Sequence, residues 1–68
     1  MKDQIRFFRQ KIGMTQEELA SAIGYESASA ITMWESGDRK PPSDKIPDIA
    51  RALGCEIQDL FATSNPTT

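Results

Sequence analysis

Residues 14–37, MTQEELASAIGYESASAITMWESG, contain two short helical patterns separated by a turn. Thr15 is followed three residues later by Glu18, the spacing of a capping box, in which each side chain accepts a hydrogen bond from the other residue's backbone N–H. Gly24 ends this first helix, because glycine is the usual residue just beyond a helix C-terminus. The stretch therefore predicts a helix, a connection of three or four residues, and a second helix over about 27–36.

The second of these helices has an unusual composition. We expect Ser27 to cap it, Ile31 and Trp34 to point into the core, and Gly37 to end it. Its other face carries small, uncharged side chains, which are too polar for a core and lack the charges of an ordinary solvated face. Two short helices joined by a tight turn are the helix-turn-helix arrangement, whose second helix enters the major groove of DNA. A face of small residues would let the helix backbone come close to the bases.

The rest of the chain predicts three more helices and no strand, since there is no valine and no period-2 alternation. The first helix covers about residues 2–12, and its inward face is formed by Ile5, Phe8, Arg9 and Ile12. The fourth starts with Asp44 as N-cap and runs to Leu53, with Pro47 at its third position, where a backbone N–H has no intrahelical partner. The fifth is expected to bury Ile57, Leu60 and Phe61.

Length and composition predict a single compact all-α domain of five helices over residues 1–62, followed by a disordered polar tail over residues 63–68. The single Cys55 has no disulfide partner, which is typical of a reducing, cytoplasmic setting, and we expect its thiol to be buried and inert. No apolar run approaches the roughly 20 residues of a membrane span, and the N-terminus lacks the apolar stretch of a signal peptide.

The net charge of −2 argues against a nucleic-acid partner, but the charges are unevenly distributed. Residues 1–16 carry four basic side chains against one acidic, and residues 36–45 carry three against two. A basic surface on one side of the domain is therefore compatible with the negative total. Phe7 and Phe8 would suit a platform for stacking single-stranded bases, but helical spacing favours Phe8 as core with Phe7 partly covered.

Catalysis has little support in the composition. The sequence has no histidine, no nucleophile–base pair, no cluster with metal-ligand spacing and no glycine-rich phosphate loop. We therefore expect no enzymatic activity, no cofactor, no metal and no small-molecule ligand.

Four segments resemble the phage repressor and Cro-type (XRE-like) helix-turn-helix family: IRFFR, MTQEELASAIG, WESG and IARALGCEIQDLF. They follow one another in order over roughly residues 4–61. The resemblance implies a lambda-repressor-like domain that binds a double-stranded DNA operator, usually as a two-fold homodimer. The sequence leaves open whether this homodimer forms in free solution or only on DNA.

The resemblance also implies roles for individual residues. Arg9 and Glu35 match a structural ion pair beneath the DNA-facing surface. The positions matching phosphate contacts are Gln16, Ser36, Arg39 and Lys40. The positions matching the base-facing side of the recognition helix are Ser27, Ala28, Ser29, Thr32 and Met33.

Two departures from the family pattern affect these roles. One additional residue lies between Gly24 and Trp34, and we expect the turn near Tyr25 and Glu26 to absorb it. The recognition helix also has no Arg, Lys, Gln or Asn, the side chains that form bidentate hydrogen bonds with bases. We expect single hydrogen bonds from serine and threonine hydroxyls, contacts of Thr32 or Met33 with a thymine methyl, and strong reliance on DNA shape and phosphate contacts.

Two functions follow as hypotheses. The first is a sequence-specific DNA-binding transcriptional regulator, a repressor or Cro-like protein, whose dimer contact would use apolar residues around the last two helices, such as Ile57 and Phe61. The alternative is a protein-interaction module on the same fold, antitoxin-like or an adaptor, which the negative net charge favours. Salt dependence distinguishes them, because only DNA binding releases condensed counterions.

Overall fold

The structure, a computed structural model, describes residues 2–61. These residues form five α-helices with one 3-10 turn, Ser43–Lys45, before the fourth helix. The helices are α1 Lys2–Lys11, α2 Gln16–Ala22, α3 Ser29–Ser36, α4 Ile46–Leu53 and α5 Ile57–Phe61. No strand occurs in the described part of the chain, and the predicted all-α, five-helix fold is confirmed. The tail predicted over residues 63–68 lies outside the described residues.

All five helices contribute to one hydrophobic core. α1 packs against α3, α4 and α5, while α2 packs against α3 and α4. Each helix supplies one aliphatic side chain that is fully buried: Ile5, Leu19, Ile31, Ile49 and Leu60. Because each helix has fewer than eleven residues, little of its stability comes from the helix alone and most comes from this shared packing.

The start of α2 and the C-terminal end of α3 follow the sequence prediction. Thr15 Oγ1 accepts a hydrogen bond from the Glu18 N–H at 3.0 Å, and Glu18 Oε1 accepts one from the Thr15 N–H at 2.8 Å, so the predicted capping box is present. α3 ends at Gly37, whose φ of +89° favours glycine and whose N–H donates to the Met33 carbonyl at 3.1 Å. The C-terminal end of α3 is thus closed at the residue that the sequence predicts.

Three predictions of buried apolar side chains were wrong. Ile12 is 50% exposed because α1 ends at Lys11 and Ile12 lies in the following turn, outside the helical face. Ile57 and Phe61 are 43% and 54% exposed. α5 has only five residues, and only Leu60 of them is buried. Phe8 packs against the core as predicted, while Phe7 stays 45% exposed with its ring edge-on to Phe8 at 5.2 Å.

The predicted starts of α3 and α4 were also wrong. α3 begins at Ser29, and its N-cap position is Ala28, which has no capping side chain; Ser27 lies in the turn. The residues around Asp44 form a 3-10 turn instead of the first turn of α4, with the Lys45 N–H donating to the Pro42 carbonyl at 2.9 Å. Pro47 is therefore the second residue of α4 and not the third, a position where its missing N–H still breaks no helical hydrogen bond.

Candidate nucleic-acid interface

One side of α3 is anchored in the core and the other is accessible. Ile31 and Trp34 are buried, which holds the helix against α1 and α2. On the other side Ser29 and Thr32 are exposed and Met33 is half-buried. At the start of the helix Ser27 is exposed and Ala28 half-buried. All five positions expected to face DNA bases thus carry uncharged side chains that are at least partly accessible.

The turn between α2 and α3 occupies residues 23–28 and is held at several points. The Tyr25 N–H donates to the Ala20 carbonyl at 2.8 Å, and the Tyr25 ring packs edge-on against Trp34 with centroids 5.6 Å apart. Lys45 Nζ donates to the Ile23 carbonyl at 3.4 Å and lies 5.4 Å from the centroid of the Tyr25 ring. These contacts connect the turn to α3 and to the 3-10 turn before α4.

Arg9 connects the first three helices. Its Nε lies 2.6 Å from Glu35 Oε2 and its Nη2 lies 2.9 Å from Glu35 Oε1, a bidentate pair in which both residues are buried. Its Nη1 donates to the Met14 carbonyl, just before α2, at 2.8 Å. The structure therefore brings together the two residues expected to pair, and engages the Arg9 guanidinium inside the protein.

Glu35 accepts hydrogen bonds from more than one direction. Gln16 Nε2 donates to its Oε1 at 3.0 Å, and Arg6 Nε lies 3.6 Å from the same oxygen. Burial raises the pKa of Glu35, but the hydrogen bonds from Arg9 and Gln16 and the charges of Arg9 and Arg6 outweigh burial and lower it from the usual 4.5. The carboxylate is therefore ionised at neutral pH.

Gln16, expected at a phosphate, lies between two other residues of the candidate interface. In addition to its bond to Glu35, its Oε1 accepts a hydrogen bond from Thr32 Oγ1 at 2.9 Å. The sequence carries no sign of this connection, because residues 16 apart in different helices leave no periodic signal. The approach of Arg6 to Glu35 was not predicted either, although Arg6 precedes Arg9 by three residues and so lies on a neighbouring part of the same helix surface.

The loop after α3 presents the remaining residues expected at phosphates. Arg39 and Lys40 are exposed, and among residues 2–61 neither forms an ion pair with a carboxylate. Ser36 is exposed too, but its hydroxyl donates to the Met33 carbonyl at 3.0 Å and accepts from the Asp38 N–H at 3.3 Å. Its hydroxyl proton is therefore engaged in closing the end of α3, whereas the two basic side chains are free to meet an anion.

Other chemistry has little support among the described residues. No group of three or more His, Cys, Asp or Glu side chains in residues 2–61 is arranged to hold a metal ion. Cys55 is half-buried against the core, where burial and the nearby Asp59 and Glu56 raise the pKa of its thiol. A protonated thiol is a poor nucleophile. Within the same range no helix is long and apolar enough to cross a bilayer.

Comparison with known proteins agrees with this architecture. The chain matches a family model described as helix-turn-helix over residues 5–60. It is 41% identical over 61 residues to an uncharacterized HTH-type transcriptional regulator of Archaeoglobus fulgidus, covering 90% of this chain and 86% of the relative. It is 42% identical over 62 residues to a protein of the same description from Methanothermobacter thermautotrophicus, covering 90% and 88%. A third such protein, from Methanocaldococcus jannaschii, is 31% identical over 61 residues, covering 90% and 91%.

Proposed function

This chain belongs to the helix-turn-helix family of transcriptional regulators, and on that basis we propose that it binds double-stranded DNA sequence-specifically with α3 in the major groove. The observation that carries the proposal is the two-sided character of α3. Ile31 and Trp34 anchor one side in the core, while the opposite side is accessible, uncharged and followed by the exposed Arg39 and Lys40. A helix with bulky or charged side chains on that side would stand further from the base edges.

Individual side chains divide into two groups in this proposal. Contacts with phosphates are assigned to Gln16, Ser36, Arg39 and Lys40, and Ser36 must exchange its bond to the Met33 carbonyl to donate to a phosphate. Contacts with base edges are assigned to Ser27, Ala28, Ser29, Thr32 and Met33. None of the second group forms bidentate hydrogen bonds, so sequence-dependent DNA shape supplies a large part of the specificity.

We further propose that the protein acts as a repressor or Cro-like regulator in the form of a two-fold homodimer. The exposed Ile57 and Phe61 of α5 support this, since they form accessible apolar surface on a helix that is otherwise packed on α1 and α4. A dimer that places two copies of α3 in successive major grooves requires half-sites about 34 Å apart, one helical turn of DNA.

A protein-interaction module on the same fold is the second candidate. It is favoured by the net charge of −2 and by the internal engagement of Arg9 and Lys45, which removes two cations from the surface available to phosphates. Such a module would bind its partner through the same accessible face of α3.

The deciding experiment is selection of bound duplexes from a random DNA pool, followed by titration of the selected duplex against salt. We expect a palindromic motif and an affinity that falls log-linearly with salt, with a slope of about −0.9 per neutralised phosphate. Absence of an enriched motif, or binding without a salt slope, would reject the proposal in favour of a protein partner.

A matched pair of arginine variants tests the assignment of the loop. Arg39→Gln should make the salt slope shallower by about 0.9 per bound protomer. Arg51→Gln also removes one exposed guanidinium, but from α4, where it pairs with Asp48 and is assigned no phosphate contact, and should leave the slope unchanged. If the salt slope changes by the same amount in both variants, the effect of Arg39→Gln does not come from a phosphate contact at the loop.

A further inference from the structure

The hydrogen bonds around Gln16 determine how one residue of α3 can meet DNA. We propose that Thr32 recognises operator DNA through its methyl group, placed against the C5-methyl of a thymine, while its hydroxyl is held inside the protein by Gln16. This inference rests on the proposed function and refines it. The sequence alone allows Thr32 either a hydrogen bond to a base or an apolar contact with a thymine.

The orientation of Gln16 follows from its neighbours. Arg9 can only donate hydrogen bonds, and the ionised Glu35 that it contacts can only accept them. The Gln16 group 3.0 Å from Glu35 Oε1 must therefore be the amide NH2, since two acceptor oxygens at that distance would repel each other. This orientation directs the Gln16 carbonyl oxygen towards Thr32, 2.9 Å from its hydroxyl.

The Thr32 hydroxyl has one proton, and both protein groups beside it are acceptors. Gln16 Oε1 is 2.9 Å away and the Ala28 carbonyl, one turn earlier in α3, is 3.1 Å away. The proton lies towards one or the other of these oxygens. It is therefore not available for guanine N7 and O6 or for thymine O4, the acceptors that these bases present in the major groove.

The hydroxyl oxygen still has lone pairs that can accept a hydrogen bond, but the methyl is the one group of the Thr32 side chain beyond Cβ that takes no part in these bonds. The residue is exposed on the accessible side of α3. Of the four bases, only thymine offers a methyl group in the major groove. Burying one methyl group changes an affinity about fourfold, which sets the size of the expected effect.

Uracil substitution isolates this contact, because uracil differs from thymine only in lacking the C5-methyl. Each thymine of the operator selected by the wild-type protein is replaced in turn, and the affinity is measured for the wild type, Thr32→Ser and Thr32→Val. We expect one position per half-site at which uracil weakens wild-type binding about fourfold. Thr32→Val, which keeps the methyl and loses the hydroxyl, should remain sensitive there, and Thr32→Ser, with the opposite change, should not. Ser21→Ala, the control at an exposed position of α2 that is assigned no DNA contact, should keep the wild-type sensitivity.

The other outcomes overturn the inference. Sensitivity that survives in Thr32→Ser and disappears in Thr32→Val would show that the hydroxyl makes the contact. Sensitivity that survives in both variants would remove Thr32 from the contact, and loss in both would show that the hydroxyl is required as well. If the wild type enriches no duplex, the proposed function itself fails, whereas an operator without a Thr32-dependent thymine rejects this inference alone.

A measurement without DNA tests the internal half of the inference. The side-chain amide resonances of Gln16 in the NMR spectrum should shift in Thr32→Val, where its carbonyl loses a donor, and should stay in place in Thr32→Ser. Unchanged resonances in Thr32→Val would show that the hydroxyl is not held by Gln16. Thermal unfolding of both variants confirms that they are folded under the conditions used.

Discussion

At the scale of single residues, Arg9 and Glu35 serve both the fold and the candidate interface. Their bidentate contact joins α1 to α3, and the remaining bonds of the two side chains reach the Met14 carbonyl and Gln16. A buried ion pair is stable only when both partners are present and their other hydrogen-bonding groups are satisfied. Among the described residues that are not exposed, no buried side-chain nitrogen or oxygen lacks a hydrogen-bond partner.

Replacing Glu35 by glutamine tests the pair directly. Glu35→Gln leaves the buried guanidinium of Arg9 without its counter-charge, and we expect the free energy of unfolding to fall by about 3 kcal/mol in urea denaturation at pH 7. Glu26→Gln makes the same chemical change at an exposed site in the turn and should alter stability by less than about 0.5 kcal/mol. Similar losses in both variants would contradict a special role for the Arg9–Glu35 pair.

The lowered pKa of Glu35 predicts a pH dependence of stability. A carboxyl whose pKa is lower in the folded state than in the unfolded state stabilises the protein above the unfolded pKa, and this contribution is lost as the pH falls through the folded pKa. We therefore expect the stability difference between wild type and Glu35→Gln to be constant at neutral pH and to shrink below about pH 4.5. Denaturation curves of both proteins from pH 7 to pH 3 measure it, and a difference that stays constant over the whole range would refute the assignment.

At the scale of the elements, the turn between α2 and α3 is held in part by a residue outside both helices. Lys45, in the 3-10 turn, donates to the Ile23 carbonyl at the end of α2 and lies over the Tyr25 ring. Lys45 is one of the basic residues from which a basic surface was predicted, but its side chain is half-buried and contacts the turn. Lys45 therefore supports the turn that positions α3.

Removing the charge of Lys45 should loosen this turn. Lys45→Met keeps most of the aliphatic chain but loses one hydrogen bond and one cation–π contact, and we expect a loss of about 1 kcal/mol in the free energy of unfolding. Lys40→Met, at an exposed loop position, is the matched control and should be close to neutral in the same denaturation assay. If Lys40→Met is destabilised as much as Lys45→Met, the loss does not come from the contacts of Lys45 with the turn.

At the scale of the whole molecule, exposed aromatic rings on two helices allow the proposed dimer contact to be tested. Phe61 on α5 is 54% exposed and Phe7 on α1 is 45% exposed. If α5 forms the proposed dimer contact, Phe61→Ser should weaken binding to a duplex with two half-sites by about tenfold, the effect of removing roughly 1.4 kcal/mol of apolar burial. Phe7→Ser removes a ring of similar exposure and should have little effect. The reverse order of effects would move the dimer contact to α1.

The sequence by itself determined the helices and the family. The capping box of Thr15 and Glu18 and the stop at Gly37 are local, because each depends on residues within one turn of the chain. The 3.6-residue period identified core positions such as Ile5 and Ile31 correctly. The resemblance to repressor and Cro-type proteins is likewise confirmed at the level of the helix-turn-helix family over residues 5–60.

Only the tertiary structure decided where the short elements begin and which apolar faces are covered. Ile12, Ile57 and Phe61 fit a helical period, but burial requires an opposing surface, and a helix as short as α5 buries a single residue. The contact of Gln16 with Thr32 depends on how α2 and α3 are placed in space and therefore has no counterpart in sequence spacing. Local hydrogen bonding and periodicity specify the elements, whereas contacts between elements exist only once the core has brought them together.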